Sequence, residues 1–255
     1  MNALEIQNLS VRYGRTLVVD DVSIAVPKGG VVGLVGESGS GKSTVAAAAV
    51  GLVRPEGGRI LIDGVDTAGS SAAARRARQR MQLVFQDPFS ALDPLMTVGD
   101  SIAEALRATG RRWSRAERVE RVRGLLRQVH LDPDRAGERP AAFSGGQRQR
   151  ITIARALAGE PSVLIADEVT SALDVSVQGA TLNLLRELQG ELGLSMLFIS
   201  HNLAVVRYIS DEVSVMRRGR IVESGPTADV LAAPADDYTR QLLTAVPVLG
   251  ERMQL

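Results

Sequence analysis

The chain has 255 residues, 45% of them hydrophobic and 23% charged, which is the balance of a soluble globular protein with one large domain or a core plus a smaller lobe. A formal net charge of +1 argues against non-specific nucleic-acid binding, and the lack of cysteine excludes disulfides, thiolate zinc sites and cysteine-held iron–sulfur clusters. The start, MNALEIQNLS, lacks the basic and apolar regions of a signal peptide, and no apolar run nears the ~18 residues that span a bilayer, so a soluble, cytosolic chain is expected.

Leu4 to Val11 alternates apolar and polar residues like a half-exposed strand, and Tyr13-Gly14 reads as a turn. Leu17 to Val26 gives a second strand before the turn at Lys28-Gly29-Gly30. Tyr13, at a strand end, serves either packing or stacking on a purine ring. Val31 to Val35, VVGLV, is a buried parallel strand, and it runs into GESGSGKST, Gly36 to Thr44. That stretch fits G-x-x-x-x-G-K-[ST], with Gly36, Gly41, Lys42 and Ser43 at the fixed positions. Gly39 and Gly41 let the backbone curl so that successive N–H groups face a phosphate. The Ala-rich stretch Thr44 to Val53 predicts a helix whose N-terminus adds partial positive charge. Lys42 is placed to reach the β- and γ-phosphates, and the Ser43 hydroxyl to ligate Mg²⁺. Strand, glycine loop and helix together imply a nucleoside-triphosphate site. Lys28 and Lys42 are the only lysines.

Pro55 to Gly58 reads as a turn, and Arg59 to Ile62 as a strand completing an antiparallel β lobe with the N-terminal strands. Ala72 to Arg80 predicts a short basic helix, and Met81 to Phe85 a buried strand closed by Gln86, at an end where α/β sheets place ligand contacts. Asp87 to Thr97 contains two X-Pro steps that forbid a continuous helix. Val98 to Ala108 and Ser114 to His130 have helical periodicity, so a helical insertion from Gln86 to about Leu157 is expected, with His130 at a solvated helix end. Ser144 is placed to cap a helix that begins FSGGQRQR, and Gly145 and Gly146 leave its first N–H groups exposed, as in an anion site or an ordinary capped helix.

Val163 to Ala166 is an apolar strand leading into Asp167-Glu168. Two carboxylates at a buried strand end are costly unless a cation or a reacting water uses them, so Asp167 is the expected Mg²⁺ partner and Glu168 the base. Ser171 to Asp174 is a loop, and Val175 to Leu192 a helix with Val177, Leu184, Leu185, Leu188 and Leu192 on one face. Ser195 to Ile199 is the last buried strand, ending at Ser200-His201. Glu212 to Arg217 and Arg220 to Ser224 form a hairpin, Asp236 to Ala245 the final helix, and Pro247 to Leu255 a loose tail.

Taken together, these segments resemble the nucleotide-binding subunit of an ATP-binding cassette (ABC) transporter over nearly the whole chain. Tyr13 matches the adenine-stacking aromatic, Gly36 to Thr44 the Walker A loop, Gln86 the Q-loop and Ser144-Gly145-Gly146-Gln147 the signature sequence. Asp167 and Glu168 match Walker B and its catalytic glutamate, Ser171 to Asp174 the D-loop and His201 the switch histidine. The resemblance implies one cassette over 1–255. Its α/β P-loop NTPase core has a mainly parallel sheet, an N-terminal antiparallel β lobe, a helical subdomain inserted at about 87–157 and a short helical tail at about 227–255. It implies ATP and Mg²⁺, with nucleotide held by Tyr13, Gly36, Ser38, Gly39, Ser40, Gly41, Lys42, Ser43, Thr44, Gln86 and Asp167, and metal by Ser43, Gln86 and Asp167. Glu168, His201, Gln86 and Lys42 would act in hydrolysis. Ser144, Gly145, Gly146 and Gln147 would contact ATP held by a second cassette packed head to tail.

Within the family, DPFSALDPLMTVGDSIAEAL and the region from Glu223 to Thr239 look like the ATPases that energise dipeptide, oligopeptide and nickel uptake. The implied partners are a second cassette, two membrane-spanning permease subunits and, indirectly, an extracytoplasmic binding protein, at the cytoplasmic face of the membrane and without nucleic acid. The other readings are a soluble cassette acting on DNA or ribosomes and a plain P-loop kinase or GTPase. Three positions depart from the pattern. Phe143 replaces the leucine that opens the signature, a change expected to act as packing. Val169 replaces the proline after Glu168, which predicts a less rigid loop. Ala235-Asp236-Asp237 replaces the histidine–proline pair before Tyr238-Thr239. The chain also stops without the cysteine-rich extension of some peptide-importer ATPases, which favours the subunit lacking such a cluster.

Overall fold

The computed structural model describes residues 1–85, 87, 91–171 and 174–244, with residues 175 and 176 as backbone only. Alternating residues build β1 (Asn2–Tyr13) and β2 (Thr16–Pro27), an antiparallel pair folded at the Gly14 turn. β3 (Val31–Val35) is buried at every position, as its uninterrupted apolar run requires. α1 (Lys42–Ala49) stops before the predicted Val53, because Gly51 takes φ +79 and Leu52 turns out to solvent. β4 (Gly57–Ile62) pairs antiparallel with β1, and β5 (Val65–Asp66), a strand too short to show as a pattern, completes this lobe.

α2 (Ala72–Gln79) leads into β6 (Met81–Val84). α3 (Val98–Ala105) tightens into a 3-10 turn over Leu106–Thr109 rather than continuing as one helix. α4 (Arg115–Gln128) carries the Ser114–Glu117 capping box; past it His130 is exposed in the left-handed region, with Nε2 3.1 Å from Glu187 Oε1. α5 (Gly145–Ala158), β7 (Val163–Asp167), α6 (Val175–Leu192), β8 (Ser195–Ser200) and α7 (Leu203–Ile209) follow. On α6 the buried face is Leu184, Leu185 and Leu188 with Leu182, whereas Leu192, expected among them, is exposed near the Gly193 cap. β9 (Glu212–Arg217) and β10 (Arg220–Pro226) form the hairpin, and α8 (Thr227–Ala232) and α9 (Asp237–Thr244) close the described chain. The expected loose tail lies outside the described residues.

Two sheets result, a four-stranded antiparallel one in the order β2-β1-β4-β5 and a six-stranded one in the order β10-β9-β3-β8-β7-β6. In the second, β9, β3, β8, β7 and β6 run parallel, and β10 is the antiparallel edge. Its strands are apolar on both faces, because alternate residues serve different cores. Leu164, Ala166, Met196 and Phe198 join the core packed by α3 to α7, whereas Val163, Ile165, Leu197 and Ile199 face α1 and the antiparallel lobe. The register pairs Val35 with Ser200 and Asp167 with Ile199, so β3, β8 and β7 end level. Everything that follows those three strands is delivered to one edge of the sheet. No helix among the described residues is long and apolar enough to cross a membrane.

Candidate active site

The Gly36–Gly41 loop joins β3 to α1 and can take only glycine at two of its positions. A Cβ on Gly36 would lie 2.1 Å from the Met216 carbonyl oxygen; Gly41 has φ +108, and a Cβ there would lie 2.8 Å from the Val18 carbonyl oxygen. No side chain caps α1 and no acidic residue sits in its first turn, so its N-terminal dipole and free N–H groups are left for an anion. Lys42 is buried at 4% exposure and its ammonium donates to the carbonyls of Gly36 and Glu37, both at 2.8 Å. Burial pulls this ammonium below the ordinary lysine range, against the opposing charges of Glu168, Asp167 and Glu37. A buried ammonium held by neutral groups, these carbonyls and the Ser40 hydroxyl at 3.5 Å, is poised to exchange them for an anionic oxygen.

The end of β7 meets this loop. The Ser43 hydroxyl donates to Asp167 Oδ1 at 3.3 Å. Burial raises the Asp167 carboxyl above its ordinary range, with the Ser43 bond opposing, the Glu168 charge reinforcing and Lys42 opposing. A hydroxyl and a carboxylate are hard oxygen donors suited to Mg²⁺, which takes one or two protein ligands and completes its shell with water and substrate phosphate. No group of three or more His, Asp or Glu that could hold a metal occurs among the described residues.

Glu168 follows in the left-handed region at φ +48, strained for a non-glycine residue. Its amide donates to the Ile199 carbonyl at 2.9 Å, and its own carbonyl accepts from the Ser171 amide and hydroxyl at 3.0 and 2.9 Å. These bonds hold the turn where a proline is usual, with Val169 buried beneath it. His201, just beyond β8, brings Nδ1 to 3.4 Å from Glu168 Oε1. Lys42, Ser43, Asp167, Glu168 and His201 thus converge, although 159 positions separate the first and last in the chain (201 − 42).

The other predicted residues are placed differently. Tyr13 is half-exposed at the end of β1. Ser144 caps α5 through a complete box, with Gln147 N to Ser144 Oγ at 3.3 Å and Ser144 N to Gln147 Oε1 at 3.0 Å. Among the described residues no hydrogen bond or ion pair joins Ser144, Gly145, Gly146 or Gln147 to the Gly36–Thr44 loop. Phe143 is buried under the Arg135 guanidinium, 4.1 Å from the ring centroid, so the residue does pack. Gln86 lies outside the described residues. A cleft of about 780 Å³ opens from Ser43 and Asp167 past Val84 and Phe85 toward Thr152 and Arg155 on α5.

Two contacts to the loop had no sequence signal. The Gly219 amide, in the β9–β10 turn, donates to the Ser40 carbonyl at 2.9 Å, and the Glu37 amide donates to the Tyr238 hydroxyl at 2.8 Å.

Comparison with known proteins agrees with this geometry. A family model described as ABC transporter matches residues 19–171. A putative peptide import ATP-binding protein of Brucella ovis is 53% identical over 242 residues, 94% of this chain and 76% of that protein. The oligopeptide transport ATP-binding protein OppF of Bacillus subtilis is 44% identical over 251 residues, 96% of this chain and 82% of its own. Among solved structures, the ATP-binding cassette MJ0796 in a dimeric post-hydrolysis state with ADP and Pi superposes with a TM-score of 0.77 at 27% identity, covering 88% of this chain and 98% of that one. With a glycine loop, a Ser43–Asp167 pair and a Glu168–His201 pair on one sheet edge, this chain belongs to the ABC transporter family as an ATP-binding, ATP-hydrolysing cassette.

Proposed function

We propose that this cassette energises uptake of peptides through separate membrane subunits, working as half of a head-to-tail pair at the cytoplasmic face of the membrane. The observation that carries the mechanism is the Ser43–Asp167 contact at 3.3 Å beside the Glu168–His201 contact at 3.4 Å, which sets a phosphate-and-cation position next to a base. Amides of the Gly36–Thr44 loop other than those of Glu37 and Ser40, which are already bonded, cradle the β- and γ-phosphates, Lys42 leaves its carbonyl partners for them, and Tyr13 offers a face to adenine. Ser43, Asp167 and Gln86 would hold Mg²⁺, which supplies charge neutralisation on the phosphates when bound. Glu168 accepts a proton from the water whose oxygen attacks the γ-phosphorus while the bond to the ADP oxygen breaks; His201 contacts the γ-phosphate and orients Glu168.

A second copy completes the site. The N-terminus of α5, with Ser144, Gly145, Gly146 and Gln147, makes no bond to this chain's own loop among the described residues, and its dipole and the Gly145 and Gly146 amides serve ATP held by the partner. The chain is one cassette, in which α3 to α5 belong to the helical subdomain that docks a permease and α8 and α9 to a helical tail. Peptide cargo is supported by the names of the Brucella ovis and Bacillus subtilis relatives, and an extracytoplasmic binding protein delivers it.

Affinity purification from native membranes with ATP present tests this reading. Two multi-span subunits and a second cassette should co-purify, together with a peptide-binding protein. Recovery of nucleic acid or ribosomal proteins without a membrane partner would overturn the transport assignment and leave only the ATPase.

A further inference from the structure

We propose that Tyr238 is a positioning residue for the phosphate loop, its hydroxyl fixing the Glu37 peptide so that helix α9 is part of the nucleotide site. This rests on the reading of Gly36 to Thr44 as the loop that holds the triphosphate.

The loop's anchors are few. The Glu37 carbonyl accepts from Lys42 Nζ at 2.8 Å and from the Ser40 amide at 3.2 Å, and the Gly36 carbonyl accepts from Lys42 Nζ at 2.8 Å. From outside the loop come the Gly219 amide on the Ser40 carbonyl at 2.9 Å and the Tyr238 hydroxyl under the Glu37 amide at 2.8 Å. When Lys42 turns to phosphate, the front of the loop loses its internal cation. Gly219 then holds the rear at Ser40, and Tyr238 is the outside contact on the leading peptide.

Tyr238 is built for that duty. It is 5% exposed, and the Arg217 guanidinium of β9 lies 4.7 Å from its ring centroid. The Glu223 carboxylate of β10 accepts from the amides of Ala235 and Asp236 at 2.7 and 3.1 Å, and Asp236 Oδ1 accepts from the Tyr238 amide at 2.7 Å. Of the three residues that depart from the family's usual pair before Tyr238, Ala235 and Asp236 therefore seat the tyrosine, through their two amides on Glu223 and the Asp236 carboxylate on the Tyr238 amide. Burial pushes the phenol above its ordinary range, with the Glu37 amide opposing, so the hydroxyl stays neutral at physiological pH.

Tyr238→Phe keeps the ring and its stacking and removes only the oxygen; Tyr238→Ala removes both. In Tyr238→Phe, exchange of the Glu37 amide followed by NMR should speed up by about tenfold or more, while Leu34 and Val35 in β3 stay protected. The ATP dissociation constant and KM should rise about fivefold with kcat within about twofold, the scale of one lost hydrogen bond. Lys42→Ala, run alongside, should abolish tight ATP binding. If Tyr238→Phe binds ATP as wild type does, or Glu37 exchange is unchanged while Tyr238→Ala alone is impaired, the tyrosine is packing only and the inference fails. If Lys42→Ala binds normally, the phosphate-loop reading fails and takes this inference with it.

Discussion

Gly146→Ala tests whether the start of α5 has to lie where the structure puts it. A Cβ on Gly146 would sit 2.5 Å from Val177 Cγ1 and 3.8 Å from Val177 Cβ. Carbon atoms rest about 3.5–4.0 Å apart, so one helix must yield by roughly 1 Å. Val177 lies in the first turn of α6, where a β-branched side chain keeps essentially one rotamer, so the backbone has to move instead. Overpacking of this kind costs about 1–3 kcal/mol, partly offset by up to ~1 kcal/mol of helix preference for alanine over glycine. At about 2–4 °C per kcal/mol for a chain of this size, calorimetry should show a melting point lowered by several degrees at most. The functional loss should be larger. A catalytic group misplaced by about 1 Å can cost on the order of 10²-fold, so ATPase turnover of the assembled pair should fall about 10- to 100-fold while ATP affinity of the isolated chain is unchanged. Val177→Ala removes the obstructing methyl, so adding it to Gly146→Ala should restore most of the turnover. Full activity of Gly146→Ala, or a double variant no better than the single, would refute the steric argument. An equal loss of ATP affinity in the isolated chain would refute the assignment of α5 to the partner's nucleotide.

Three further outcomes are expected. Glu168→Gln should bind ATP normally and turn over on the order of 10²-fold slower, with ATP-dependent pairs accumulating by light scattering; normal turnover would remove Glu168 from the base role. Because burial raises the Asp167 carboxyl, the metal-free native state binds its proton more tightly than the unfolded chain does. Stability in EDTA should therefore fall as pH rises from the ordinary carboxylate range through that raised value, and Asp167→Asn should lack this fall in a urea titration series. Ser144→Ala breaks the capping box, lowering stability by about 1 kcal/mol, and should slow hydrolysis only in the assembled pair.

The strands that carry chemistry were legible because a parallel sheet buried on both faces needs unbroken apolar runs, and VVGLV, VLIA and SMLFI have little else they can form. Polar residues at the ends of such runs, Asp167, Glu168 and His201, stand out for the same reason. What stayed hidden depends on long-range placement. Nothing local to Tyr238 says that its hydroxyl meets Glu37, 201 positions earlier, since that contact is created by the β9–β10 hairpin and the turn before α9. Alanine content alone carries the predicted α1 past the point where Gly51 breaks the backbone, and apolar spacing alone carries the predicted face of α6 on to Leu192, past the residues the helix buries.

The groups gathered at the sheet edge explain why nucleotide, rather than the fold alone, sets the state of this site. Lys42 is buried against two neutral carbonyls, and Asp167 is buried against a hydroxyl. Each is a charged group with a weaker partner than its charge can use, which is the sense in which both ionisations are shifted toward neutrality. A triphosphate with its cation offers each of them an opposite charge at once, so the ligand is bound by exchanging neutral contacts for charge-assisted ones. That exchange releases the Gly36 and Glu37 carbonyls from Lys42, while the contacts made on Ser40 from the β9–β10 turn and on Glu37 from α9 remain. The β9–β10 hairpin and α9, which carry none of the recognisable nucleotide motifs, are by these contacts coupled to the loop that meets the phosphates.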